Sequence, residues 1–169
     1  NAAGMSTSMA VMLERKDGKQ TEFSFEELNP LTRAVATNED VIAIVVGIGT
    51  YANTDADAIY ADTDAQVFQD YAVKKLGVSP NRIKTLVNDA ADERGVLLAV
   101  MRWLTRTAKP GKSDIYIFFA GHGLASDDGE NMYLLPYDGA PELLDKTAIL
   151  RDELFSDIAA ANPRSVTVF

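Results

Sequence analysis

The 169-residue sequence has no cysteine and a single histidine. The first absence excludes disulfides and thiolate metal centres within this chain. The second leaves any metal site to be completed by carboxylates alone, so no metal site is expected. Positive charge is also scarce: 16 Lys and Arg stand against 25 Asp and Glu, a net charge of −9. That balance argues against nucleic acid or an anionic membrane as a partner. It suits basic ligands, and surface solubility accounts for it equally well. No apolar run approaches the ~20 residues of a membrane span, and nothing resembles an intact signal peptide. Asn1-Ala2-Ala3 reads as a cloning remnant and is set aside. The chain reads as soluble, with nothing to choose between cytoplasm and periplasm.

What is present is ordinary for a globular protein: 47% hydrophobic and 24% charged residues, enough chain for one domain with a real core. Residues 1–40 read as an N-terminal hairpin and linker. "AVMLERK" and "KQTEFSF" flank Asp17-Gly18, a favoured turn pair, between Met9 and Phe25. Asn29 to Asp40 follows as the linker. From Val41 onward the pattern changes. "VIAIVVGI" is a continuous β-branched run of the kind buried on both faces of a sheet. "DTDAQVFQDYAVKKLG" is an amphipathic helix, with Asp62 or Thr63 as cap and Ala65, Phe68, Ala72 and Leu76 inward. "RIKTLVN" is a strand. "DERGVLLAVMRWLTRTA" is a helix capped by Asp92, with Val96, Val100, Trp103 and Leu104 inward. "SDIYIFFA" is a strand, "NMYLLPYD" a short strand or half-hairpin, "LRDELFSDIAAA" a helix, and "RSVTVF" a buried-looking fourth strand. This alternation predicts an α/β fold over 41–169, a three-layer αβα sandwich around a mostly parallel sheet.

Three groups of residues invite a functional reading. Gly47, Gly49 and Ala52 fit the dinucleotide spacing G-x-G-x-x-A, but an acidic loop follows where a helix should begin, so a glycine-eased turn is the expectation. Asp55, Asp57, Asp62 and Asp64 lack the glycine and terminal glutamate of a calcium loop. Calcium activation therefore has no specific motif behind it, and no cofactor is expected. Asp127, Asp128 and Glu130 read as a solvated loop. His122 is the sharpest feature. It ends an apolar strand and is framed by Gly121 and Gly123, whose backbone can approach a ligand closely. Their N–H groups are free to face a developing oxyanion. Its nucleophile is not evident. Ser126 is near but lies in the acidic loop, and no G-x-S-x-G elbow occurs.

Five segments in order resemble the caspase-like cysteine peptidases, in particular the bacterial relatives of metacaspases. "VIAIVVGIGTYAN" is similar to their first strand and loop, and "YADTDAQVFQDYAVKKLGV" to their G-C-x-N-D-A helix. "DIYIFFAGHG" resembles their histidine strand, "MYLLPYDG" the segment after it, and "SVTVF" the strand immediately before their D-x-C-x-S-G nucleophile. In caspases the histidine precedes the cysteine by about 50 residues, and Phe169 lies 47 positions beyond His122.

The resemblance implies a cysteine endopeptidase with a Cys-His dyad. His122 would be the dyad histidine and the Gly123 amide an oxyanion donor. The cysteine would lie on a C-terminal segment of the same protein beyond Phe169, and the fragment alone would be inactive. The substrate would be a peptide or protein, cut after a basic residue held by Asp64, the aspartate of "T-D-A". Two departures weaken that preference. Ala120 stands where metacaspases usually have serine, and Tyr60-Ala61 where they have Gly-Cys. The alternative is a non-catalytic member, a pseudo-peptidase or interaction module.

Overall fold

The structure, a computed structural model, describes residues 34–169. The hairpin expected between Met9 and Phe25 lies outside these residues. The described end of the linker is bound to the domain: the Val35 N–H donates to the Lys74 carbonyl at 2.8 Å, and that of Asn38 to Gly77 at 2.8 Å.

The centre is a four-stranded parallel sheet in the order β2-β1-β3-β7. Strand β1 is Val41–Gly47, β2 Ile83–Val87, β3 Asp114–Ala120 and β7 Ser165–Val168. All seven residues of β1 are buried, as its unbroken β-branched run predicts for a strand covered on both sides. Its side chains alternate between two cores. Ile42, Ile44 and Val46 enter the larger one, and Val41, Ala43 and Val45 the smaller.

Helix α1, Ala61–Lys74, covers the smaller core. It approaches β1 closely because Ala65 and Ala72 face the sheet. A Cβ on Gly47 would come within 2.4 Å of the Ala65 Cβ and 2.5 Å of the Ala61 carbonyl oxygen. Gly47 therefore serves helix packing, not phosphate binding. The expected cap is not used. The residue before α1 is Tyr60, left-handed at φ 73°, with no side-chain cap. Asp62 sits inside the first turn, where its carboxylate accepts from the Thr63 N–H at 2.8 Å.

The other face carries a helix in three parts and a second helix. Glu93–Leu98 (α2) runs through a π-helical segment, Ala99–Leu104, into Thr105–Thr107 (α3). Asp92 caps it as expected, accepting from the Gly95 N–H at 2.6 Å. Within this helix Val96, Val100 and Leu104 are buried and Trp103 packs against the cluster.

A small antiparallel sheet follows β3, and of its strands the sequence announced only the one in "NMYLLPYD". It consists of β4 (Gly123–Ala125), β5 (Met132–Leu134) and β6 (Ile149–Leu150). The short α4 (Leu144–Thr147) precedes β6, and α5 (Arg151–Ala160) follows it and packs into the larger core through Leu154 and Ile158.

The expected burial of β7 is not seen among the described residues: all four of its residues are exposed, and Val168 is 46% accessible. It pairs only with β3 and is an edge strand among the described residues.

Candidate active site

The chain leaves β1 toward β2 on one side and later returns through β3 on the other. That reversal between β1 and β3 is a topological switch point, where parallel sheets open a crevice at the carboxyl ends of their strands. The β1–α1 loop and the Gly121-His122-Gly123 turn meet there. The Ile48 N–H donates to the Ala120 carbonyl at 2.9 Å, joining the two strand ends.

His122 is half-buried in this crevice and is held at three points. Its Nε2 lies 2.6 Å from the Ala56 carbonyl oxygen. Its backbone N–H donates to the Tyr51 hydroxyl at 2.7 Å. Its imidazole stacks on the Tyr51 ring, with centroids 5.0 Å apart and planes at 20°. A carbonyl only accepts, so Nε2 carries the hydrogen and Nδ1 of the neutral ring is left as its basic nitrogen.

The glycine frame has a specific use on each side. A Cβ on Gly121 would stand 2.9 Å from the Tyr51 hydroxyl oxygen and 3.3 Å from the Phe119 ring. On the other side, the Leu135 N–H donates to the His122 carbonyl at 2.9 Å. Antiparallel pairs alternate between bonded and non-bonded. The Gly123–Leu134 pair of β4 and β5 is therefore non-bonded, and the Gly123 N–H points away from β5.

Asp64 lies in the first turn of α1, exposed to solvent. Its neighbour Asp62, which the sequence offered as a helix cap, is the carboxylate turned toward the strand ends. The Asn88 side-chain nitrogen donates to it at 3.4 Å, while the side-chain oxygen Oδ1 of Asn88 accepts from the Gly49 N–H at 2.8 Å. With that amide occupied and a carboxylate beside it, Gly49 offers nothing to a phosphate. Asp55 and Asp57 are exposed. Among the described residues no cluster of three or more His, Asp or Glu could hold a metal ion.

Ser126 is engaged within its own loop. Its hydroxyl donates to Asp128 at 2.5 Å and accepts from the Asn131 N–H at 3.0 Å. The Ser126 hydroxyl first, and the Glu130 N–H at 3.0 Å second, hold the Asp128 carboxyl below the usual carboxylate range. An apolar hollow of about 240 Å³ lies between β3, β7, the π-helical segment and α5, and neither His122, Gly123 nor Asp64 lines it.

The sequence could not have indicated the Ala56 carbonyl, because a backbone acceptor leaves no mark on residue type. Tyr51 was legible only as part of a strand-end motif.

Comparison with known proteins agrees with the fold. A family model described as a caspase domain matches residues 40–169. No curated protein matches. Among solved structures, a crystal structure of a protein from Geobacter sulfurreducens, a structural-genomics target, superposes with a TM-score of 0.56 at 18% identity. The match covers 77% of this chain and 49% of that one, so the chain spans about half the length of the structure it resembles. Similarity at that identity carries the fold alone.

Proposed function

This chain belongs to the caspase domain family, and from that premise we propose that it is the histidine-bearing part of a cysteine endopeptidase working through a Cys-His dyad. The observation that carries the proposal is the paired commitment of His122. Nε2–H is given to the Ala56 carbonyl at 2.6 Å, which reserves Nδ1 for a proton taken from a nucleophile.

The nucleophile would be a cysteine beyond Phe169, since these 169 residues contain none. The β3–β7 register supports this. Ile117 pairs with Val168, and pairing runs on through the Phe169 N–H to the Ile117 carbonyl at 2.9 Å. A strand continued in that register sets the third following residue level with Gly121 and the fourth level with His122. A cysteine there would lie on the strand next to the imidazole.

The chemistry then runs in two steps. His122 takes the thiol proton, and the thiolate sulfur bonds to the scissile carbonyl carbon. The carbonyl oxygen becomes an oxyanion facing the Gly123 N–H. The imidazolium returns its proton to the amine as the C–N bond breaks, leaving a thioester. Water, deprotonated by His122, then releases the acid and the thiol. Asp64, exposed at the start of α1, would pair with an arginine or lysine side chain of the substrate. The chain's charge of −9 favours approach of such a substrate.

A non-catalytic family member is the second reading, because a shared fold does not fix function. One experiment separates the two: determine the residues that follow Phe169 in the parent protein and assay it on a fluorogenic arginyl peptide. Asp-x-Cys together with cleavage supports the peptidase. Any other residue at the cysteine position, with no cleavage, removes it.

A further inference from the structure

We propose that Tyr51 is a positioning residue for His122 and, through it, for the Gly123 amide; the inference rests on the peptidase reading of the same site. Tyr51 makes two different contacts with one residue. Its hydroxyl accepts the His122 backbone N–H at 2.7 Å, and its ring stacks on the imidazole at 5.0 Å. Each fixes a separate degree of freedom. The hydroxyl holds the peptide plane before His122, and the ring limits rotation of the imidazole about its side-chain torsions.

The plane after His122 is held from the opposite side. Its carbonyl accepts from the Leu135 N–H at 2.9 Å. That carbonyl and the Gly123 N–H belong to one peptide plane, so the bond to Leu135 also aims the Gly123 N–H. With the Tyr51 hydroxyl on one side and Leu135 on the other, the proton acceptor and the oxyanion donor are placed relative to one another before any substrate arrives.

Tyr51 is itself firmly anchored. It is 8% exposed and belongs to the larger core with Ala91 and Leu135. The residues after it strap the loop down. The Ala52 N–H donates to the Tyr137 carbonyl at 2.8 Å, and the Asn53 side chain to the Asp138 carbonyl at 2.7 Å. Burying a phenol hydroxyl costs free energy that a phenylalanine of the same shape avoids. Burial also pushes the Tyr51 hydroxyl above its ordinary pKa, against a smaller opposing effect of the His122 N–H, so the phenol stays neutral. A neutral hydroxyl at this depth has a use if the His122 N–H needs an acceptor. The bare Gly121 lets the two meet, since a Cβ there would stand 2.9 Å from that hydroxyl oxygen.

The chain's single histidine makes the test direct, because selective ¹⁵N-histidine labelling gives one imidazole and one amide signal. Tyr51→Phe keeps the stacked ring and removes the acceptor; Tyr51→Leu removes both. Wild type should show the Nε2–H tautomer. Folded Tyr51→Phe should keep that tautomer while its His122 amide exchanges about tenfold faster or more. Tyr51→Leu should lose the tautomer preference as well. In the parent protein Tyr51→Phe should lower kcat about tenfold with KM unchanged, because orientation of these groups matters in the transition state and not in binding. An unchanged exchange rate, or an unchanged kcat, in folded Tyr51→Phe overturns the inference. If Tyr51→Leu does not fold, Tyr51→Phe decides alone. If wild-type parent protein cleaves nothing, the peptidase reading falls, and the exchange measurement still decides whether Tyr51 holds His122.

Discussion

Nε2 of His122 lies 2.6 Å from the carbonyl oxygen of Ala56, a residue 66 positions earlier in the chain. The contact ties the loop after β1 to the turn after β3 and fixes which imidazole nitrogen is free. His122→Ala in the parent protein should lower turnover on an arginyl peptide by about 10²–10⁴-fold, the usual worth of a positioned acid–base group. Far-UV circular dichroism should not change, because the side chain is half-buried and outside the main cores. Unchanged turnover would remove His122 from the mechanism.

Two carboxylates near the start of α1 should behave differently. Asp64 is exposed, so Asp64→Asn should leave the melting temperature unchanged and raise KM for arginyl substrates selectively, by about tenfold or more. Asp62 is bonded to the Thr63 N–H and Asn88, so Asp62→Ala should lower the melting temperature. An equal loss of Asp64→Asn activity on arginyl and non-basic peptides would assign Asp64 to the helix rather than to the substrate.

Gly47 should tolerate nothing larger. A Cβ there would press on the Ala65 Cβ at 2.4 Å and on backbone at the Ala61 carbonyl at 2.5 Å. Gly47→Ala should therefore destabilise the fold by about 1–3 kcal/mol, measured by denaturant or thermal unfolding. A shift within error would mean that α1 can retreat from β1 at no cost.

The β3–β7 junction should carry an acid-sensitive part of the stability. The Asp114 carboxyl at the start of β3 accepts from both the Arg164 guanidinium and the Ser165 hydroxyl, the latter at 2.7 Å. These bonds, Arg164 first, hold it below the usual carboxylate range. A folded-state pKa below the unfolded one stabilises above the ordinary value of about 4, and that contribution is lost as pH falls through the folded pKa. The melting-temperature gap between wild type and Asp114→Asn should be widest above about pH 5 and close in stronger acid. A gap independent of pH would mean that shape, not charge, holds this corner.

Much of the fold was legible in sequence. β1, the Asp92-capped helix and the inward positions Val96, Val100 and Leu104 were set by periodicity and capping, which are local signals. The family was legible too, because its motifs keep their order along the chain. The fate of β7 was not legible. A strand's burial depends on what lies beside it, and a β-branched run reads the same at a centre or an edge. Of the β4–β5–β6 sheet only β5 was legible, as the short strand in "NMYLLPYD"; strands of two or three residues are too short to show a period.

The sequence by itself determined a parallel α/β sheet, a histidine set in a glycine frame and the family to which they belong. These follow from residue types at fixed local spacing. Only the tertiary structure decided how that histidine is held: Nε2 to the Ala56 carbonyl, the backbone N–H to the Tyr51 hydroxyl, and the ring against the Tyr51 ring. The physical reason is that these partners come from a loop far away in sequence. One is a backbone oxygen that any residue carries, and the other a tyrosine that the sequence marks only as part of a strand-end motif.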